Sequence, residues 1–313
     1  MRLDSDSSFS TFDFSMYRTF VIARHTFFES IVQPIYSLLL AIGAAILAVF
    51  AVLPFFTLGE DSVMYKAVGL DVILLPVLIA TLFATSKSIY EEIEDRTMLT
   101  LMSKPVRRWE VLLGKYLGII TSALLAIALL GAVLVLCIWF RVPGDYQLSL
   151  RTVDEAEIRQ IHDYRMMHVM GVLPNLVGLW LQISVLAAIG VAISTRLPLV
   201  VNLPIVIFVY IAGNLSRFLD YATADRGGFA RAVAEVIQTV MPYLAVFDLK
   251  EKGVYAKIAL KDSIFVGDVS AVTLASIWGD AGMAFIYALL YAAAALGVGL
   301  LLFETRELGG AEG

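Results

Sequence analysis

The chain has 313 residues, of which 59% are hydrophobic and 16% charged, with a mean hydropathy of +0.83 and a net charge of −5. A soluble domain carries about 25% charged residues, so the composition excludes an ordinary water-soluble protein and points to an all-α membrane bundle; the acidic balance excludes a nucleic-acid-binding surface. The single cysteine, Cys137, excludes an internal disulfide and a thiol-based zinc cluster.

Residues 1–33 are expected to form a cytoplasmic N-terminus. They carry Asp4, Asp6 and Asp13 and no cleavable apolar core, so the first span is expected to act as the insertion signal. Within this region 14–33 reads as an amphipathic helix. Arg18, His25 and Glu29 fall in a narrow stripe, with Phe20, Ala23 and Phe27 opposite. Such a helix is expected to lie on the inner membrane surface; a plain extension of the first span is the alternative.

A helix needs roughly 20 apolar residues to cross the hydrocarbon core. Six stretches qualify: 34–53, 68–85, 117–140, 172–193, 197–215 and 281–303. Only the second carries a charge, Asp71 near its first turn, which is expected at the interface. Pro76 and Pro204 lie inside spans and are expected to kink them. The fourth and fifth spans, separated only at Thr195–Arg196, read as a tight hairpin. Gln182, Asn202 and Asn214 are the conspicuous polar residues within spans. Their expected role is hydrogen bonding between helices.

The external loops are expected at 54–67, 141–171 and 216–280, and a short cytoplasmic tail at 304–313. The second of these is polar, with room for a short helix, and His162 and His168 are too far out of phase for a metal site. The third contains an apolar stretch, 236–247, too short to span and suited to a re-entrant element. The 86–116 loop holds Lys87, Arg96, Lys104, Arg107, Arg108 and Lys115, whereas 54–67 holds only Lys66. Positive charge marks the cytoplasmic side. An even number of spans then puts both termini inside.

The 86–116 loop is the most informative stretch. Residues 90–115 read YEEIEDRTMLTLMSKPVRRWEVLLGK. Acids come first, then an apolar pattern compatible with a helix, then Pro105 and the basic pair Arg107–Arg108. Acids at a helix start suit its dipole. A short helix held at the cytoplasmic surface can take a push from a soluble partner; a solvated loop that merely fixes topology fits the charges equally well.

The stretch resembles the signature loop of the type-2 ABC exporter permeases: Glu-x-Glu-x-Gly-Thr, a short apolar helix, Pro-x-x-Arg, then Gly-Lys. The matching residues are Glu92, Glu94, Thr97, Leu99, Leu101, Pro105, Arg108, Gly114 and Lys115. The family's glycine before the threonine is Arg96 here. The N-terminal helix, six spans and the ending Phe303, Arg306, Glu307 are also similar to the family. The Pro242, Phe247, Asp248 stretch resembles the subgroup of nitrous-oxide reductase maturation and gliding-motility permeases.

The resemblance implies a multi-pass permease in the cell's inner membrane, paired with a second permease copy or a paralogue as a dimer. It implies a separate Walker-motif ATPase that carries ATP and Mg, with no cofactor on this chain. Glu91, Glu92, Glu94, Thr97, Leu99 and Leu101 would couple to that ATPase. Pro105, Arg108, Gly114 and Lys115 would anchor the loop at the membrane, the two cations through lipid phosphates. The chain itself carries no enzyme motif. The only Gly-Lys pair, Gly114–Lys115, is preceded by Trp109 where a phosphate-cradling loop needs glycine, and is followed by Tyr116. No GxSxG or HExxH motif occurs. An ion-gradient-driven carrier and a non-transporting scaffold are the other readings; the scarcity of intramembrane acids weighs against the carrier.

Overall fold

The computed structural model describes residues 5–53, 61–95, 97–98, 106–145, 155–223, 241–260 and 271–306. Leu99, Leu101, Pro105, Arg96 and Glu307 lie outside the described residues, as does most of the expected tail. The chain is built from long helices: α1 (Ser5–Val32), α2 (Pro34–Val52), α3 (Asp61–Thr85), α4 (Arg108–Asp145), α5 (Glu155–Ser194), α6 (Leu199–Thr223) and α7 (Leu274–Glu304). A two-residue parallel pairing joins β1 (Ile258–Ala259) to β2 (Val272–Thr273).

Five helices are long and apolar enough to cross a membrane; they contain the expected first, second, third, fourth and sixth spans. The expected fifth span lies in α6, whose apolar part is the shorter run Leu199–Leu215. The helices extend well past the apolar windows. α4 starts at Arg108 rather than at 117 and continues to Asp145. α5 starts at Glu155, so much of the expected 141–171 loop is helix. Polar residues carry a helix as readily as apolar ones once it has nucleated, and hydropathy alone cannot see that extension.

α5 is the central helix, and α2 and α7 are peripheral. In their apolar windows 72% of α5 residues are buried, against 17% in α2 and in α7. The main core packs Leu70, Ile73 and Val77 of α3 with Leu130 and Leu134 of α4 and Ile183 and Leu186 of α5. Large apolar residues remain exposed along α7, among them Met283, Phe285, Leu289 and Leu290. A water-facing surface would not hold so large an apolar patch; hydrocarbon covers it at no cost.

Helix ends in such a bundle must satisfy their last carbonyls internally. Two arginines of α4 do so. At its end, Arg141 donates through Nη1 to the carbonyls of Phe50 (3.0 Å) and Ala51 (2.6 Å) at the C-terminus of α2. At its start, Arg108 donates to the carbonyls of Phe303 (2.6 Å) and Glu304 (3.0 Å) at the C-terminus of α7. Lys66, expected in an external loop, is buried within α3, and its Nζ donates to Val254 O at 3.0 Å.

α1 runs along α4 through a Gly-x-x-x-Gly step, Gly114 and Gly118. A Cβ at Gly118 would lie 2.5 Å from Ala23 O, and one at Gly114 would lie 2.9 Å from Thr19 O. Small residues at this spacing let two helix backbones touch. The facing side of α1 buries Thr19, Thr26 and Ser30, while Tyr17, Phe20 and Phe28 point away. Gly118→Leu is expected to overpack this seam and lower stability by about 1–3 kcal/mol. The measurement is the unfolding midpoint in detergent, together with faster proteolysis within residues 15–32.

Candidate functional site

α3 does not stop where its apolar run stops. It continues through a π-helical turn, Ser86–Glu91, into a short helix, Glu92–Glu94. The start of the expected loop is therefore a rigid extension of the second span. π-turns are rare and recur at functional positions.

One face of this extension is locked to the bundle. Ile89, Ile93 and Met98 are buried and pack with Val111, Leu112 and Tyr116 of α4 and with Val191 of α5. The spacing Ile89–Ile93 puts both on one side of the helical path. The other face carries Glu91, Glu94 and Asp95, all exposed. Thr97 is exposed too, and its hydroxyl donates to Glu92 O.

Glu92 differs from its neighbours. It pairs with Lys115 at 2.7 Å, and the Lys115 side chain is 4% exposed against 24% for Glu92. Lys115 Nζ also donates to Ser88 O (2.5 Å) and Ser88 Oγ (3.2 Å). A buried ammonium needs acceptors around it; the π-turn supplies one and Glu92 the counter-charge. Lys115 thus joins the end of α3 to α4.

The expected lipid-phosphate partners of Lys115 and Arg108 are replaced by protein groups. Burial withdraws Lys115 from the membrane surface, and the end of α7 engages Arg108. Gly114, also expected to anchor the loop, serves the close approach of α1. Leu99, Leu101 and Pro105 lie outside the described residues.

Three further contacts tie the extension to the rest of the bundle, and the sequence reading missed two of them. Arg306 stacks over Tyr90 at 5.6 Å and donates to Thr195 O at 2.6 Å. Buried Asn202 of α6 donates to Ser194 Oγ (2.8 Å) and to Ser86 Oγ (3.1 Å), in line with the interhelical role expected for it. Glu110 is buried at the start of α4. It accepts from the Arg107 N–H (3.0 Å) and from the Ser15 hydroxyl of α1 (2.5 Å). The first of these is half of a capping box. A Glu three residues into a helix was its sequence signal, hidden because Arg107 is not a usual cap.

This arrangement can present an acidic surface on a support that cannot yield locally. Exposed helices, membrane-length apolar runs and internally satisfied helix ends define a multi-pass α-helical membrane protein. Residues 71–308 match the profile of the ABC-2 family transporter protein, and the chain belongs to that family. It is accordingly a membrane permease of an ABC transporter, a class that works with an ATP-binding subunit. A comparison with curated proteins finds no match.

Removing Glu92 would strand a buried ammonium, whereas removing Lys115 would leave a carboxylate that water reaches. Glu92→Ala is therefore expected to cost about 2 kcal/mol and more than Lys115→Met. The double variant should fall short of the sum, a coupling read from a thermal-unfolding double-mutant cycle.

Proposed function

We propose that this chain is the membrane subunit of an exporter driven by a separate Walker-motif ATPase, which binds the ATP and Mg. In this reading the chain has six spans, with α6 as the fifth, and both termini in the cytoplasm of a cell whose inner membrane it spans. Two permease subunits, copies or paralogues, form the dimer. The chain binds no cofactor and catalyses no reaction. Within the family, the Pro242, Phe247, Asp248 stretch favours the subgroup of nitrous-oxide reductase maturation and gliding-motility permeases.

The observation that carries the reading is the two-faced extension of α3. Its acids Glu91 and Glu94 face outward, while Ile89, Ile93 and the Glu92–Lys115 pair fix its other face to α4. A surface that is charged and rigid transmits force to the spans behind it. Glu92, named with the coupling residues in the sequence, acts here as the fastener, and Glu91 and Glu94 as the contacts.

ATPase recovered with the purified chain from its native membrane tests this. The double reversal Glu91→Lys and Glu94→Lys is expected to lower that recovery about tenfold, equivalent to about 1.4 kcal/mol. Because both side chains are exposed, the unfolding midpoint should not move. Full recovery of ATPase with the reversed chain would sink the coupling assignment.

A further inference from the structure

At the opposite end of the bundle a polar recess of about 280 Å³ opens between α3, α5, α6 and the 241–260 segment. Asn175, Leu179 and Gln182, at helical spacing on one face of α5, form its back wall. Asp71 enters from α3 and Tyr210 from α6. Asp248 and Lys250 close the remaining side.

The recess is held open by a fixed backbone. A Cβ at Gly178 of α5 would lie 2.5 Å from Phe247 O, and one at Gly213 of α6 would lie 2.6 Å from Pro242 O. Gly171 and Gly253 meet as closely on the same side. The segment is further tethered by the Lys250–Asp71 and Lys252–Asp280 ion pairs and by the Lys66–Val254 hydrogen bond.

Two features mark it as a binding site rather than a packing gap. Gln182 is 6% exposed, lines the recess, and makes no hydrogen bond to any described residue. Its neighbours are satisfied: Asn175 donates to Gly171 O at 2.9 Å and Asn214 to Tyr210 O at 2.9 Å. A buried amide without a partner is costly unless something fills its hydrogen bonds. The second feature is charge. Two carboxylates, Asp71 and Asp248, and one ammonium, Lys250, face the space, leaving one net negative charge.

We propose that this recess binds the ammonium group of a small amphipathic amine. The ammonium would donate to the Asp248 carboxylate and the Gln182 carbonyl, with its charge near the Tyr210 ring. The apolar remainder would lie against Leu70, Leu74, Leu179 and Phe247, which line the same space. An anion of the same shape would meet two carboxylates. The volume sits just below the range of about 300–1,000 Å³ for small-molecule sites, which limits the bound part to a small head. The proposal rests on the permease reading only in treating that amine as cargo.

The test is titration calorimetry of the full chain in phosphatidylcholine nanodiscs, with empty nanodiscs subtracted and neither ATPase nor nucleotide present. The probes are phenethylammonium, phenethyl alcohol and phenylacetate. Saturable binding of the ammonium is expected, about tenfold or more tighter than the alcohol, and no binding of the carboxylate. Asp248→Asn and Gln182→Leu should each weaken ammonium binding about tenfold. Unfolding midpoints identify a variant that has lost its fold, and then the other variant decides. Absence of saturable binding, equal binding of phenylacetate, or wild-type affinity in the folded variants would overturn the proposal. None of those results bears on ATPase recovery, so the recess and the permease reading can fail separately.

Discussion

The Lys115 ammonium has left water, and much of the bundle's Glu92 end is organised around that fact. Its Nζ sits within hydrogen-bond reach of Ser88 O and Glu92. An uncompensated charge there would cost several kcal/mol. The compensation requires the end of α3 to run on past its apolar part and to widen into a π-turn beside α4. With that extension fixed, Ile89 and Ile93 face inward and the remaining acids have only solvent to face. The direction in which Glu91 and Glu94 point follows from where Lys115 had to be satisfied.

The other cations follow the same logic at helix ends. Arg108 and Arg141 sit at opposite ends of α4 and each covers the final carbonyls of a neighbouring helix, α7 and α2. Arg196 does likewise for Leu302 O at 3.0 Å. A guanidinium suits this use because it stays charged and offers several donors in a plane. It also meets the negative end of the helix dipole. The connections between spans are thus electrostatic joints, placed where helix ends would otherwise leave acceptors bare.

The spans were legible because apolar run length is a one-dimensional property. The helical extensions were not, since residues 155–171 read as a polar loop and become the first turns of α5. Positive charges were read as markers of topology, yet Lys115, Lys66 and Arg141 take protein partners; a lysine's sequence neighbours do not disclose a carbonyl of another helix. Asn202 was legible, because an amide among apolar residues in a span has few uses besides a bond to another helix. Gln182 looked identical in sequence and differs only in what stands opposite it, which the 241–260 segment decides. Gly114 and Gly118 were legible as a pair of small residues four apart, but the presence of α1 against them was not.

Under the proposed function, α3 and its extension run as one helical path, Asp61–Glu94, from the recess to the acidic surface. Its two ends are fastened unequally. At one end Lys115 and Glu92 are an ion pair with one partner fully buried. At the other, Asp71 pairs with Lys250 while its side chain is 60% exposed. A pair that open to solvent contributes about 0–1 kcal/mol, far less than the buried one. Force applied to Glu91 and Glu94 would therefore shift α3 as a body before it broke the Lys115 joint, and the contact that yielded first would be Asp71–Lys250. Pro76, with no N–H to donate, lies between the two and lets the path bend rather than snap. The stiff joint belongs where energy enters, and the weak one at the recess where a ligand would have to leave.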